Sequence, residues 1–594
     1  MTKYEILIKI LDSIVYEAPE KYSKLYGREN TEQYNASLSR AFIHLFLKVR
    51  FDLLDFEERE HFVTDGANDG GIDGYYVDKE NRQLFLFQSK FRHSEDNFKN
   101  KEISLHELLA MEINRILSGE DTNESGVPYR GKIKQLQREV SEIDDLPRYT
   151  YKIMIFANLK SIKESDLKRI TGGYGVEIID SERCYNDFVF PIISGTYYAK
   201  TDLHVQIDLS NKLANKISYN VSTMSGDCNI TVLFIPTIEV GKFMSKYKNS
   251  ILKYNPRSYL GFTSQDVNKK IAESIINHST NEFALFNNGI TLLSEETVIN
   301  EQVAQKGVAR LIIRNPQIIN GGQTSYTLSR LYEEQQDKTI FDGKEVLLKI
   351  ITLPGKNDNN SINNLIDCIS DATNHQTPVG PSDRISNYED QLQLQKILYE
   401  RYGMLYERKK GEFSDGILKG YIKDSDIIDR SLFIKIYYTL LGKITSSKTR
   451  KIFISHRWKE SELSDEKLLM ETLFGYRCYM ALMGTNQKKM SDLDNLAKVK
   501  TMVLLFSPTS VRDFDKIIKE NINIIIDKWD DFLYTHSDNV YKKTVIRVSD
   551  DGQEKIIYKR IRSKMRSWLN SKQFCKDVNS FFCQSIHCTE QSTI

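Results

Sequence analysis

Cysteine, proline and tryptophan are scarce, at 7, 11 and 3 of 594 residues, and neither sign of charge is in excess, with 82 basic against 81 acidic residues. So few cysteines, with Cys184, Cys228, Cys368 and Cys478 far apart, exclude a disulfide framework and make a reducing cytoplasm the expected compartment. A C-terminal group, Cys575, Cys583, His587 and Cys588, has the ligand types of zinc but no usual finger spacing, and reads as chance grouping. Low-complexity tracts and fixed-period repeats are absent, which argues against solenoids and propellers. No apolar run approaches the roughly 18–20 residues that span a bilayer, so no membrane partner is expected. The opening segment MTKYEILIKILDSIVYEAPE carries Ile6, Leu7, Ile10, Leu11 and Ile14 at helical spacing, and reads as a packed helix rather than a signal peptide.

What is present is an ordinary globular composition, 40% hydrophobic, in a chain long enough for several cores. Residues 1 to about 60 are helical in pattern. Strand-like pieces follow at His61–Thr64, Ile72–Asp78 and Gln83–Phe91, then a long helical stretch from about Ser104 to Ile143, then strands YKIMIFANL (151–159) and GVEIID (175–180). That order predicts an α/β domain over 1–195. A mixed α/β domain is expected over 200–455, from strand patterns such as DLHVQIDL and ITVLFIPTI. A mostly helical domain is expected over 456–594, from EKLLMETLFGYRCYMALMG and FDKIIKENINIIIDKW. Two runs without a carboxylate stand out, with six basic residues from Lys443 to Lys459 and eight from Lys555 to Lys576. Each reads either as a path for a phosphate backbone or as a solvated helix face.

The most informative stretch is DGANDGGIDGYYVD (65–78), followed by LFLFQSKF (84–91). Side chains alternate along a strand, so Gln88 and Lys90 share one face while Phe87 and Phe91 pack on the other. Asp73 at the head of the first strand and Gln88 on the second then converge beside a lysine. Phosphodiester hydrolysis uses that set. Asp73, the Gln88 amide oxygen and the Ser89 carbonyl would hold Mg²⁺ (or Mn²⁺), and Lys90 would position the attacking water and offset the developing charge. A hairpin with an Asn/Asp-rich turn is the alternative reading.

The stretch resembles the PD-(D/E)XK nuclease superfamily, and within it the Mrr-type restriction endonucleases, with Gly71, Ile72 and Asp73 as the GID turn and Gln88, Ser89 and Lys90 as the QxK strand. The resemblance implies a restriction-endonuclease-like fold for the first domain and catalysis by Asp73, Gln88 and Lys90. One departure is visible. Many relatives carry a glutamate on the preceding helix, and residues 37–51 offer none; Glu32 lies farther upstream, and Asp65 or Asp69 would supply the extra acid or else cap the turn.

In the middle of the chain, NPQIINGGQTSYTL (315–328) runs from a strand through Gly321 and Gly322 into a helix with Thr324 or Ser325 as its expected cap. Free N–H groups at such a helix start favour an anion, and a tight corner needing small residues is an equal alternative. No lysine follows the glycines, so no ATPase is expected. With NNGIT (287–291), the stretch around Asn374, Gln376 and Asp383, and YERKKG (406–411), this region resembles the abortive infection phage resistance family, AIPR. That implies an antiphage role in bacteria. Asn320, Gly321, Gly322, Gln323, Thr324, Asn374 and Gln376 are candidates for gripping nucleic acid or a nucleotide-like ligand, with Arg408, Lys409 and Lys410 adding phosphate contacts; satisfying buried backbone groups is the bland reading.

The expectation is therefore a cytoplasmic, Mg²⁺-dependent endonuclease that hydrolyses DNA in antiphage defence, regulated by its AIPR domain. The alternatives are a non-cleaving nucleic-acid-binding or phage-sensing protein with a degenerate nuclease fold, and an RNA-cleaving toxin. DNA stands ahead of RNA as partner, and a homodimer is expected because two-fold pairs are the commonest assembly.

Overall fold

A computed structural model describes residues 1–79, 81–103, 111–159, 162–171, 173–196, 202–208, 217–224, 226–255, 258, 265–300, 308–353, 365–366, 368–369, 372, 385–444, 456–484, 492–547 and 554–583. The chain divides into two compact units, one of residues 1–376 and 410–424, the other of 377–409 and 425–594. Within the described residues no helix is long and apolar enough to cross a membrane.

The first unit opens with helix α1, Lys3–Tyr16, started by a Thr2–Glu5 capping box, and it buries Ile6, Leu7, Ile10, Leu11 and Ile14. Helix α2, Thr31–Phe51, and the short α3, Phe56–His61, follow. Strands β1, Gly74–Asp78, and β2, Gln83–Ser89, form an antiparallel hairpin with Gly74 opposite Phe87. Helices α4, Glu95–Asn100, and α5, Gly131–Ser141, lead to β3, Thr150–Phe156, and then β4, Gly175–Ile179. The strands form one sheet in the order β1-β2-β3-β4, parallel from β2 onward. The expected strand at His61–Thr64 shrinks to a single bridge, Val63 with Gly74, because α3 runs on through His61.

The two faces of β2 divide as alternation requires. Phe85, Phe87 and Phe91 meet Phe51, Phe46 and Phe42 of α2, with ring centroids 4.9, 5.0 and 5.1 Å apart. Leu84 and Leu86 pack in a cluster with Ile133, Leu136 and Val140 of α5. The sheet is thus covered on both faces, which its apolar strands demand.

Farther along the first unit are β5, Asp202–Asp208, β6, Ile217–Thr223, β7, Gly226–Pro236, and α6, Thr237–Tyr247. Then come β8, Ile290–Ser294, β9, Glu296–Asn300, β10, Val308–Arg314, β11, Gln317–Asn320, α7, Gly322–Glu334, and β12, Glu345–Thr352. They build sheets β5-β10-β9 and β11-β8-β12-β7-β6 over one apolar cluster. The second unit holds α8, Glu389–Tyr402, a parallel pair β13, Leu405–Glu407, and β14, Ile427–Asp429, then α9, Arg430–Leu440, α10, Glu466–Gly484, α11, Asp492–Phe506, and α12, Phe514–Asp527. It ends with hairpin strands β15, Tyr541–Arg547, and β16, Glu554–Arg560, and helices α13, Arg562–Leu569, and α14, Lys572–Phe582. The basic run from Lys555 therefore starts on a strand and is no single helix face.

The corner into α7 corrects one expectation. Gly321, at φ +80°, is the residue that starts the helix, and Thr324 and Ser325 lie inside it. The Asn320 carboxamide accepts from Gly321 N at 2.7 Å, so the turn closes before the hydroxyl residues are reached. A Cβ on Gly321 would stand 2.7 Å from the Gly289 carbonyl, whereas one on Gly343, also at positive φ (+66°), would meet nothing within 4 Å. Gly343→Ala should therefore cost about 1 kcal/mol of backbone strain, while Gly321→Ala adds a main-chain clash and should cost clearly more. Urea unfolding of the two variants side by side checks the order.

Candidate functional site

The glycine turn before β1 is held by its own main chain. Thr64 N and Asp65 N both donate to the Asp73 carbonyl at 3.0 Å, and Asp73 N donates to Phe87 O at 2.8 Å. This folds Asp65–Asp73 back on itself, and side-chain oxygens of Asp65, Asp69 and Asp73 all come within 4.8 Å of one another. Asp69 caps the turn, its two oxygens accepting from Gly66 N at 3.0 Å and Gly71 N at 2.9 Å, and it also stays in the cluster. Asp73 is 8% exposed and accepts from Ser89 N at 2.6 Å through one oxygen.

Burial pushes the Asp73 carboxyl up to about 7; the Ser89 N–H and the Lys90 charge pull down, and Asp65 and Asp69 add to the rise. Burial raises Asp69 as well, with the N–H groups of Gly71 and Gly66 opposing it. Three crowded carboxylates with no nitrogen or sulfur donor suit a hard cation such as Mg²⁺ or Mn²⁺, whose charge removes the repulsion.

The other sequence candidates lie as follows. Lys90 follows directly on β2, its main-chain N donating to Phe156 O at 3.0 Å, and its charge acts on both Asp73 and Asp69. Gln88 is fully buried and donates through Nε2 to Gly71 O at 3.1 Å, gripping the glycine turn. Glu32 sits exposed in the first turn of α2, outside the carboxylate cluster.

In the central region, Gly289 N donates to the Asn287 carboxamide at 2.9 Å, and Asn287 donates to Thr324 Oγ1 at 3.0 Å. The NNGIT and NGGQT segments thus lock together as a corner. Gly322 is buried there, and the Gln323 main-chain carbonyl accepts from Thr327. Arg408 donates to Gln395 Oε1 at 2.7 Å and Ser386 O at 2.9 Å, Lys409 is buried, and the Lys410 carbonyl accepts from Ser258. Asn374, Gln376 and Asp383 lie outside the described residues, as do Lys448, Arg450, Lys451, His587 and Cys588. Of the two basic runs, Arg457 pairs with Asp390 at 2.6 Å and Arg560 with Asp494.

A supporting network has no motif to announce it. Arg40 Nη1 donates to the Asp65 carbonyl at 2.8 Å, Arg130 Nη1 to the same oxygen at 2.6 Å, and Arg40 Nη2 to Glu60 at 2.7 Å. Behind Arg40, Glu60 also receives Tyr26 and His44 Nε2, the latter at 3.0 Å. Arg59 Nε is always a donor and faces His44 Nδ1 at 3.2 Å, so Nδ1 accepts and Nε2 carries the proton. Burial, with the Arg59 and Arg40 charges, accordingly holds His44 down to about 4 against the pull of Glu60. The only trace in sequence is Arg40 and His44 one turn apart in the apolar run SLSRAFIHLF.

A model of the AIPR protein family matches residues 252–560, just over half of the 594-residue chain. The chain belongs to the AIPR family. That membership suggests an antiphage function related to abortive infection. The match begins well after the carboxylate cluster, which is therefore a feature of this AIPR protein outside the matched segment. No curated protein and no solved structure matches the chain.

Two outcomes are expected. Folded Asp73 keeps its proton to about pH 7 and the unfolded residue loses it near 3.8, so its contribution to the stability of the ion-free protein falls as pH rises between those values. Asp73→Asn should remove that slope, stabilise the ion-free protein at pH 7 by roughly 2–4 kcal/mol, and abolish stabilisation by Mg²⁺ or Mn²⁺; thermal unfolding with and without ion reads all three. Arg40→Ala leaves Glu60 buried without its guanidinium and should cost about 3–5 kcal/mol, measured by denaturant titration.

Proposed function

We propose that this AIPR protein is a divalent-metal-dependent nuclease that acts on DNA in antiphage defence, in the cytoplasm, with its remaining domains controlling access. The observation that carries the reading is the trio Asp65, Asp69 and Asp73 gathered at the head of β1 under the charge of Lys90. The helix–hairpin–helix–strand order around it, with GID in the turn that leads into β1 and QxK at the end of the neighbouring β2, supports the likeness to Mrr-type PD-(D/E)XK nucleases.

Asp73, with Asp65 and Asp69, would hold the ion. Once bound, the ion supplies polarisation of the phosphate and a lowered pKa for a water. Lys90 orients the attacking water and stabilises charge growing on the phosphorus oxygens. Gln88 is assigned a positioning task, since its amide holds the turn that presents Asp73. Arg40 and Arg130 fix the Asp65 carbonyl and so the start of the same turn. A pair of chains would allow both strands to be cut.

One observation favours a second reading, a nucleic-acid-binding or phage-sensing protein that does not cleave. The side chain that α2 sends toward the cluster is Arg40 and not a carboxylate. A third target, RNA, suits the same residues. Purified protein is expected to nick plasmid DNA in Mg²⁺ or Mn²⁺, with Asp73→Ala and Lys90→Ala each at least about 100-fold slower. Equal activity in all three removes this site from the mechanism. Retention of DNA in EDTA with no cutting after Mg²⁺ addition selects the binding role, and parallel incubation with total RNA separates the toxin.

A further inference from the structure

We infer that the connection from β13 to β14 is a positioning strap for the glycine turn that carries Asp65, Asp69 and Asp73, which it steadies from α1 through a chain of paired side chains ending on the Asp65 carbonyl. The strap's importance for cutting rests on the nuclease reading; the coupling itself does not. Both strands belong to the second unit, yet residues 410–424 between them belong to the first. They are fastened there at several points. Phe413 is fully buried, its ring centroid 5.8 Å from that of Phe190, and the buried Asp415 accepts from Lys248 at 2.9 Å. Gly416 lies so close to the neighbouring chain that a Cβ there would stand 2.9 Å from the Ile193 carbonyl.

The strap meets α1 along one face. The Gly420 carbonyl accepts from Lys9 Nζ at 3.1 Å, and Tyr421 donates to Ser13 Oγ at 3.1 Å. Lys9, Ser13 and Glu17 are spaced four apart, so they line up on one side of the helix as far as its C-terminal end. Glu17 accepts from Lys48 at 2.8 Å and from Arg59. The strap is also felt electrostatically at this point: burial lowers the Lys48 ammonium, Glu17 opposes the fall, and the Arg59 and Lys419 charges add to it. From Arg59 the path runs through His44, Glu60 and Arg40 to the Asp65 carbonyl. Arg59, His44 and Glu60 are at most 1% exposed, so these links are shielded from solvent. A shift of α1 at Glu17 therefore reaches Arg40 as a change in hydrogen-bond geometry instead of being absorbed by water. Tyr421, Glu17 and Arg59 act through others and are positioning residues.

The test reads the turn itself, in EDTA and without DNA. Hydrogen exchange of the full-length protein is followed by mass spectrometry in the peptides over 64–73 and over β3. Lys9→Met/Tyr421→Phe removes both strap bonds while keeping side-chain bulk, Glu17→Ala cuts the path midway, and Gly343→Ala is a destabilised variant away from it. The first two should each speed exchange over 64–73 by at least about fivefold with β3 unchanged, and Gly343→Ala should leave the turn as it is. Adding the strap changes to Glu17→Ala should have no further effect. Where cutting is measured, kcat should fall with KM little changed. An unmoved turn in the first two variants, an equal rise over β3, or fully additive effects overturns the inference. A moved turn in the variants beside a wild type that cuts no plasmid keeps the strap and discards the nuclease; Asp73-dependent cutting with an unmoved turn does the reverse.

Discussion

The electrostatic constraint on the N-terminal region is the crowding of three carboxylates around a main-chain turn that cannot open without breaking the β1–β2 hairpin. Asp73 N belongs to the strand ladder through Phe87 O, and the Asp73 carbonyl takes two donors from the start of the same turn. The side chains are therefore carried together by backbone bonds that the fold needs anyway. Repulsion and burial are tolerated because the turn is held from outside as well, by two guanidinium groups on one carbonyl oxygen and a glutamine amide on Gly71. A site under such tension favours whatever neutralises it, a proton or a cation.

The network behind Arg40 shows what that support costs in polar satisfaction. Glu60 is 1% exposed, and it accepts from Arg40, His44 and Tyr26. Arg59, fully buried, ties His44 to the carbonyls of Leu53 and Leu54. Each member hydrogen-bonds a neighbour, with Arg40 Nε alone left over, and such pairing is the condition under which buried charge persists in a core. The aromatic layer of α2 against β2 lies beside it, so the helix that packs the sheet is also the helix that steadies the turn.

In the AIPR segment, the described polar residues of the two motifs carry bonds that close the fold. The Asn and Gly residues of NNGIT and NGGQT close two turns that touch each other main chain to main chain, and Arg408 is spent on Gln395 and the Ser386 carbonyl. Turn-forming residues at those corners look the same in sequence whether they bind a ligand or a backbone.

Local pattern was enough for α1, β2, β3, β4 and α10, because apolar periodicity and strand alternation are set by neighbours along the chain. It was enough, too, to bring Gln88 and Lys90 to the turn that carries Asp73, since a glycine turn between strand patterns constrains spacing. What it left open was whether Asp65 and Asp69 cap the turn or join Asp73, and Asp69 does both because a carboxylate has more lone pairs than the turn has N–H groups. Sequence determined the composition of the turn and the strands on either side of it. Only the tertiary structure decided that α2 presents an arginine there and that Arg130 joins it on the Asp65 carbonyl, since those meetings depend on how helices and sheet pack and no short-range pattern encodes them.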